Sequence, residues 1–136
     1  MKSSNARRFL LGVTSLVFAC VAMANLVAPR TMARGIGYTL DTVDALSEFR
    51  AVYVGVWLAK AVLMAVAFRR VHEALLGDLC AILLLGQTGG RILSVLLDGV
   101  PSAKVWPWFV LEAVGGVALI VVRPSGPARE SVRASR

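Results

Sequence analysis

Residues 83–99, LLLGQTGGRILSVLLDG, constrain what this chain can fold into more than any other stretch. The stretch is apolar enough to lie inside a membrane, yet it carries polar side chains at spacings of four, three and four: Gln87, Arg91, Ser94 and Asp98. On a helix these spacings form one polar stripe. An arginine at membrane depth is costly unless it faces protein or water and has a partner. We therefore expect a membrane helix whose polar stripe faces the rest of the protein.

Small residues lie beside this stripe. Gly86, Gly90 and Ser94 are four residues apart, so they share one helix face. Such a face lets a neighbouring backbone come close in a membrane. We expect close helix packing there.

Apolar residues make up 57% of the 136-residue chain, and they are gathered into four blocks at about 9–28, 48–68, 74–97 and 105–122. About 20 helical residues span the roughly 30 Å of a hydrocarbon core. The pattern predicts an all-α, polytopic membrane protein with one domain, residues 9–122, folded as an antiparallel four-helix transmembrane bundle. Residues 1–8 precede the bundle, and residues 123–136, with their Pro, Gly and Ser, are expected to form a disordered tail.

The first block has an alternative interpretation as a signal peptide. Ala22-Met23-Ala24 before Asn25 resembles a cleavage site, and the start of the chain is basic. The apolar run continues past this site to Pro29, which favours a helix that is retained.

Basic residues at the block ends predict the orientation. Nine Lys and Arg side chains lie on the side of the two termini and the turn at Arg69-Arg70, against three or four on the other side. The positive-inside rule then puts both termini in the cytoplasm, with the protein in the cell membrane. Because the net charge of +7 is accounted for in this way, we expect no nucleic-acid partner.

The connection between the first two blocks covers residues 29–40. Met32 and Ile36 are four residues apart, which is compatible with a short interfacial helix. Asp41 is predicted to cap the next helix, with Asp44 in its first turn and its end near Phe68.

A charged cluster is predicted toward the non-cytoplasmic ends of the helices. Arg91 precedes Pro101 by ten residues and Glu112 follows it by eleven, so an antiparallel hairpin places them at one depth. We expect them to form an ion pair. The candidate site comprises Glu48, Arg50, Gln87, Arg91, Ser94, Asp98 and Glu112. It is either a buried pair that fixes helix register, with Glu48 as a second acid nearby, or a polar pocket for a head group, an anion or a proton.

Lys60 and Asp78 form a secondary candidate pair. Lys60 lies near the middle of the second block, and Asp78 lies near the start of the third. A structural Lys–Asp contact is the expected role.

Residue types that carry catalysis or bind metals form no recognisable set in the sequence. His72 follows the basic turn and is expected to be solvated, whereas Cys20 and Cys80 lie in apolar blocks and are expected to be buried free thiols. There is no Ser/His/Asp set, phosphate loop or metal signature. We therefore predict no enzymatic activity, cofactor or metal.

Three motifs occur in a fixed order: EFRAVYVG at 48–55, GRILSVLLDGVP at 90–101 and then Glu112, with AFRR at 67–70 between the first two. In this order the chain resembles a bacterial family of small four-helix membrane proteins, the domain of unknown function 4345. The resemblance implies a membrane-embedded four-helix unit and brings no activity, substrate or cofactor. Lys60 is not part of the family pattern.

Two functions remain open from the sequence. The first is a non-enzymatic membrane protein that serves as an accessory subunit of a larger complex, with lipid and other membrane subunits as partners. The alternative is a small binding or transport module with an outward-facing polar pocket for an anionic or lipid-like ligand.

Overall fold

Helices account for every regular element of residues 2–124, the part of the chain that the computed structural model describes. The expected all-α class is confirmed. In chain order the elements are α1 (Lys2–Val27), α2 (Pro29–Gly35), α3 (Val43–Arg50), a π-helical segment (Ala51–Val56), α4 (Trp57–Arg69), α5 (Ala74–Asp98) and α6 (Trp106–Val121).

Within residues 2–124, three helical stretches are long and apolar enough to cross a membrane: Ser4–Val27, Val43–Arg69 and Ala74–Asp98. The second runs without a break through α3, the π-helical segment and α4. Helix α6 is apolar too, but its 16 residues extend only about 24 Å at 1.5 Å per residue. The helices begin and end close to the predicted blocks, except that α1 already begins at Lys2.

The connection between the first two blocks holds a short helix, as the spacing of Met32 and Ile36 suggests. Pro29 opens α2, where its missing N–H costs nothing. The predicted cap of the next helix is wrong by one residue, because the Thr42 hydroxyl accepts the Ala45 N–H at 3.0 Å. Asp44 lies in the first turn of α3, as expected.

The core lies where α1 packs along α4. The Ser15 hydroxyl donates to the Ala61 carbonyl at 2.8 Å, and the Phe18 ring meets Trp57 edge-on at 5.4 Å. Since residue numbers rise along α1 as they fall along α4, these two helices run in opposite directions. The buried core side chains are Leu11, Phe18, Ala22, Trp57, Ala61, Met64, Ala67, Cys80, Ala81, Leu84 and Leu119. Cys80 is buried as expected, whereas Cys20 faces outward from α1.

Close helix packing occurs at α6 and not at the predicted face of α5. A Cβ at Gly116 would lie 2.7 Å from Leu85, so α5 and α6 approach closely there. By contrast, Gly86 and Gly90 are exposed and have open space around them. The expectation of close packing at Gly86 and Gly90 is therefore wrong within residues 2–124, because Leu84 and Thr88 set the buried face of α5.

Arg7, near the N-terminal end of α1, is buried, although the sequence suggests only a topology signal there. Its Nη2 donates to the Ala74 carbonyl at 2.8 Å, and its guanidinium covers Gly77. The predicted disordered tail lies outside the described residues from residue 125 onward.

Candidate functional site

Arg91 and Glu112 form a two-point contact between α5 and α6. Arg91 Nε donates to Glu112 Oε2 at 2.8 Å, and Nη2 reaches Oε1 at 3.4 Å. Glu112 is only 1% exposed, whereas the Arg91 side chain is 28% exposed. The contact predicted from their equal distance to Pro101 is thus present, and the acid is its buried member.

A second ion pair ties the other end of the same two helices. Arg123, just after α6, donates through Nε to both carboxylate oxygens of Asp78, at 2.9 and 3.1 Å. The predicted Lys60–Asp78 pair is therefore wrong. Lys60 instead faces Gln87, which lies nine residues further along α5, or about 13.5 Å along its axis.

Lys60 is buried and donates to the Gln87 side-chain oxygen. Its Nζ also lies 5.4 Å from the centre of the Phe18 ring, within reach of a cation–π interaction. Gln87, a member of the predicted stripe, thus finds its partner on α4.

The remaining members of the predicted cluster lie apart from this pair. The Ser94 hydroxyl donates to Asp98 at 3.1 Å on an exposed part of α5. Glu48 and Arg50 are exposed and form no ion pair within residues 2–124. The expectation of Glu48 as a second acid beside Arg91 is wrong because Phe49, between Glu48 and Arg50, is the side chain that α3 buries.

Arg91 lines a cavity of about 80 Å³ whose walls combine aromatic and aliphatic side chains. Tyr38, Tyr53, Trp57 and Trp108 contribute the rings. A neighbouring cavity of about 250 Å³ shares part of its lining with the first, namely Ile36, Tyr38, Arg91 and Val105. Arg91 thus lines two neighbouring cavities, and its surroundings suit an apolar or ring-bearing ligand with one polar group.

Reasoning from the sequence missed the aromatic part of this site. Phe49 stacks on Tyr53 with ring centres 4.5 Å apart, Tyr53 meets Trp57 at 5.7 Å, and Trp57 meets Trp108 at 5.5 Å. Phe49, Tyr53 and Trp57 are four residues apart, which puts them on one helix face. That spacing is the signal that identifies them.

The π-helical segment Ala51–Val56 carries Tyr53 into the cavity wall. Short π-helical turns are rare and occur frequently at functional sites. This segment is the second structural feature, after the buried ion pair, that sets this region apart.

No group of three or more His, Cys, Asp or Glu side chains in residues 2–124 could hold a metal ion. His72 is exposed beside the turn after α4. The polar groups at the site are a guanidinium, a carboxylate, an ammonium, amides and phenols, which can bind and orient a ligand.

A family model described as a domain of unknown function (DUF4345) matches residues 6–123. The chain belongs to this family. The match covers all the helices of the structure except the first residues of α1, and it includes both Arg91 and Glu112. No curated protein and no solved structure shows significant similarity to the chain. The three long helices are apolar enough to lie in a membrane, and the family description assigns no activity.

Proposed function

We propose that this DUF4345 protein is a non-enzymatic membrane protein that binds an anionic or lipid-like ligand beside Arg91. The observation that carries the proposal is the cavity that Arg91 lines together with four aromatic side chains. A simple register-fixing pair would need no adjoining space, whereas Arg91 opens onto two cavities.

The hydrogen bonds of Arg91 support a ligand on its free side. Glu112 engages Nε and Nη2, and Nη1 forms no hydrogen bond within residues 2–124. Glu112 thus fixes the orientation of the guanidinium and leaves a charged donor for a phosphate or carboxylate oxygen.

The charge balance of the interior points to an anion. Two basic side chains, Lys60 and Arg91, lie with one acidic side chain, Glu112, in this layer. The partner of Lys60 is the neutral amide of Gln87. When Lys60 is protonated, the two bases exceed the one acid by one charge, and a ligand with one negative group balances the layer.

The membrane arrangement that we propose has four spans in an antiparallel bundle, with both termini in the cytoplasm of a cell membrane. The fourth span would be α6, which is short for a bilayer and is supported by its apolar composition and its packing against α5. The Lys and Arg distribution supports the orientation. In this arrangement the Arg91 cavity opens toward the outer side.

One observation favours the accessory-subunit function as a second candidate. Gly86 and Gly90 are exposed on α5, and no other part of residues 2–124 fills the space beside them. A face of small residues can receive a helix of another membrane protein. Substitution of both glycines by Leu should then release a co-purifying membrane subunit and leave ligand binding at Arg91 unchanged.

Tryptophan fluorescence provides the test of ligand binding, because Trp57 and Trp108 line the cavity. Purified protein in a nonionic detergent would be titrated with an alkyl methyl phosphate, which carries one negative phosphodiester on an apolar chain. We expect saturable binding that Arg91→Gln weakens about tenfold or more, since charge-assisted hydrogen bonds are among the strongest.

Two further variants complete this test. Arg50→Gln removes an exposed arginine that does not line the cavity, and it should bind like the wild type. The double variant Arg91→Gln/Glu112→Gln removes both charges, so it leaves no unpaired carboxylate in the interior. A loss of binding in this variant therefore cannot result from an unpaired carboxylate. Equal binding by the wild type and the double variant would refute the proposal.

A further inference from the structure

A groove of about 560 Å³ adjoins the Arg91 cavity and has a different chemical character. Glu48 is the charged residue in its lining, and Tyr38, Phe49 and Tyr53 supply aromatic surface. The ring centres of Tyr38 and Tyr53 are 6.0 Å apart, and both tyrosines also line the Arg91 cavity. The groove and the cavity therefore share these two rings as part of their walls.

An acid beside aromatic rings is the arrangement that recognises an organic cation. Aromatic faces attract ammonium groups, including quaternary ones, and a carboxylate adds a charge of the opposite sign. Glu48 is exposed and forms no ion pair within the described part of the chain, so its carboxylate is available. Phe49, stacked on Tyr53, holds that wall in place.

We propose that the ligand is zwitterionic, with its phosphate or carboxylate at Arg91 and its ammonium group against Glu48, Tyr38 and Tyr53. This inference rests on the proposed binding function and specifies the class of ligand. A phospholipid head group and a free zwitterionic solute share this chemistry. The residues of the site do not distinguish a lipid from a solute, so the probes must separate them.

The π-helical segment links the two charged sites. It begins at Ala51, directly after the turn that carries Glu48 and Phe49, and it contains Tyr53. The Tyr53 ring contacts those of Tyr38, Phe49 and Trp57, so one side chain bounds both spaces. A ligand that bridges Arg91 and Glu48 would pass over this ring.

A different anion site lies on the other side of the groove. Arg30 and Arg34 line a recess of about 250 Å³ that shares Thr39 and Leu40 with the groove. Asp41 lies in the same recess and offsets part of their charge. Arg91, whose guanidinium is held in a fixed orientation by Glu112 and lines two cavities, is the anion site that we favour.

The experiment compares an alkyl phosphocholine with the alkyl methyl phosphate of the same chain length, in which a methyl group replaces the trimethylammonioethyl group on the phosphate. Binding is followed by tryptophan fluorescence in a nonionic detergent. We expect the phosphocholine to bind more tightly to the wild type. Glu48→Gln should weaken phosphocholine binding about fivefold, the size expected for a cation at a partly exposed site, and should leave the methyl phosphate unaffected.

Asp44→Asn is the matched control, because it removes an acid one turn earlier on α3 that does not line the groove. Arg34→Gln is the control for the other anion site and should leave both probes unaffected. Free phosphocholine, which has no chain, separates the sources: binding comparable with that of the alkyl probe indicates a solute, and much weaker binding indicates a lipid.

Each contrary result has a distinct meaning. If neither probe binds the wild type, the proposed binding function fails. If both probes bind equally and Glu48→Gln changes neither, the site takes an anion only and the zwitterionic inference is overturned. If Arg34→Gln abolishes phosphocholine binding while Arg91→Gln does not, the anion lies at α2, and both the inference and the assignment of Arg91 are wrong.

Discussion

Two arginines at opposite ends of the molecule differ in their exposure and in their hydrogen-bond partners. Arg91, near the end where α5 and α6 are joined, has a buried carboxylate at 2.8 Å and open space beside it. Arg7, near the end where α4 and α5 are joined, is 1% exposed and donates one hydrogen bond to a backbone carbonyl. Its Nε and Nη1 form no hydrogen bond within residues 2–124.

The difference shows how each arginine contributes to the protein. The Arg7 guanidinium lies against Gly77 of α5, where there is no room for a Cβ, and the side chain is 1% exposed. Asp78, the nearby acid, is instead bound by Arg123. Arg91 is oriented by an acid and remains accessible. An enclosed arginine can only hold helices together, whereas an oriented and accessible one can also bind a ligand.

The largest effect should come from breaking the Arg91–Glu112 pair. Removing one member of a buried pair costs about 3–5 kcal/mol in a dry site, because a charge is left without its partner. Arg91→Gln should cost more than Glu112→Gln, since the carboxylate is 1% exposed and the guanidinium, at 28%, can be hydrated from the cavity. Thermal unfolding in detergent would measure both.

The double variant Arg91→Gln/Glu112→Gln should lose less stability than the sum of the two single variants, because no charge is stranded. Ser94→Ala is the matched control on α5, since its hydroxyl bonds Asp98 at an exposed position. We expect it to change the unfolding free energy by less than about 0.5 kcal/mol. Additive losses in the cycle would show that the two charges do not interact energetically.

The enclosed arginine should respond to an added methyl group. In Gly77→Ala the new Cβ would lie 1.8 Å from Arg7 Nη2, so the guanidinium must leave its place. Overpacking costs about 1–3 kcal/mol, and the loss here should lie at the lower end of that range because the clashing atoms are the far end of a flexible side chain. Because the clash requires Arg7, Arg7→Met should recover part of the loss in the double variant.

Gly89→Ala is the control for a glycine of α5 that nothing crowds. Alanine favours helix over glycine by up to about 1 kcal/mol, so this variant should be neutral or slightly more stable in thermal unfolding. An equal loss of unfolding free energy in Gly77→Ala and Gly89→Ala would mean that the position of Arg7 against Gly77 does not contribute to stability.

The parts of the site that the sequence predicts are those fixed by distance along the chain. Arg91 and Glu112 meet because both are measured from one turn at Pro101, and the depth of each residue in its helix follows. The helix bounds follow from the apolar blocks in the same way. The same count, taken from the turn at residues 70–73, puts Asp78 several residues closer to that turn than Lys60, and the predicted pair relied on the long lysine side chain to cover the difference.

Side-chain direction around a helix is what the sequence leaves open. The four-residue spacing of Phe49, Tyr53 and Trp57 marks the buried face, and Glu48 falls outside it. The π-helical segment adds a residue to a turn without any mark in an apolar sequence. The burial of Arg7 likewise depends on its contacts with Ala74 and Gly77 on α5, so its basic character alone indicates only an end of a block.

The smallest effect should come from the ion pair beside Arg7. Arg123 is 55% exposed and Asp78 is 21% exposed, so water and salt screen their attraction. Arg123→Gln should lower the unfolding free energy by no more than about 1 kcal/mol. The loss should shrink further as salt is added to the buffer. Arg123→Gln leaves Asp78 without its partner, so the displaced Arg7 guanidinium can interact with Asp78. The loss of unfolding free energy caused by Gly77→Ala should therefore be smaller in the Arg123→Gln background. A strictly additive double variant would show that Arg7 takes no stabilisation from Asp78 and is held by packing alone.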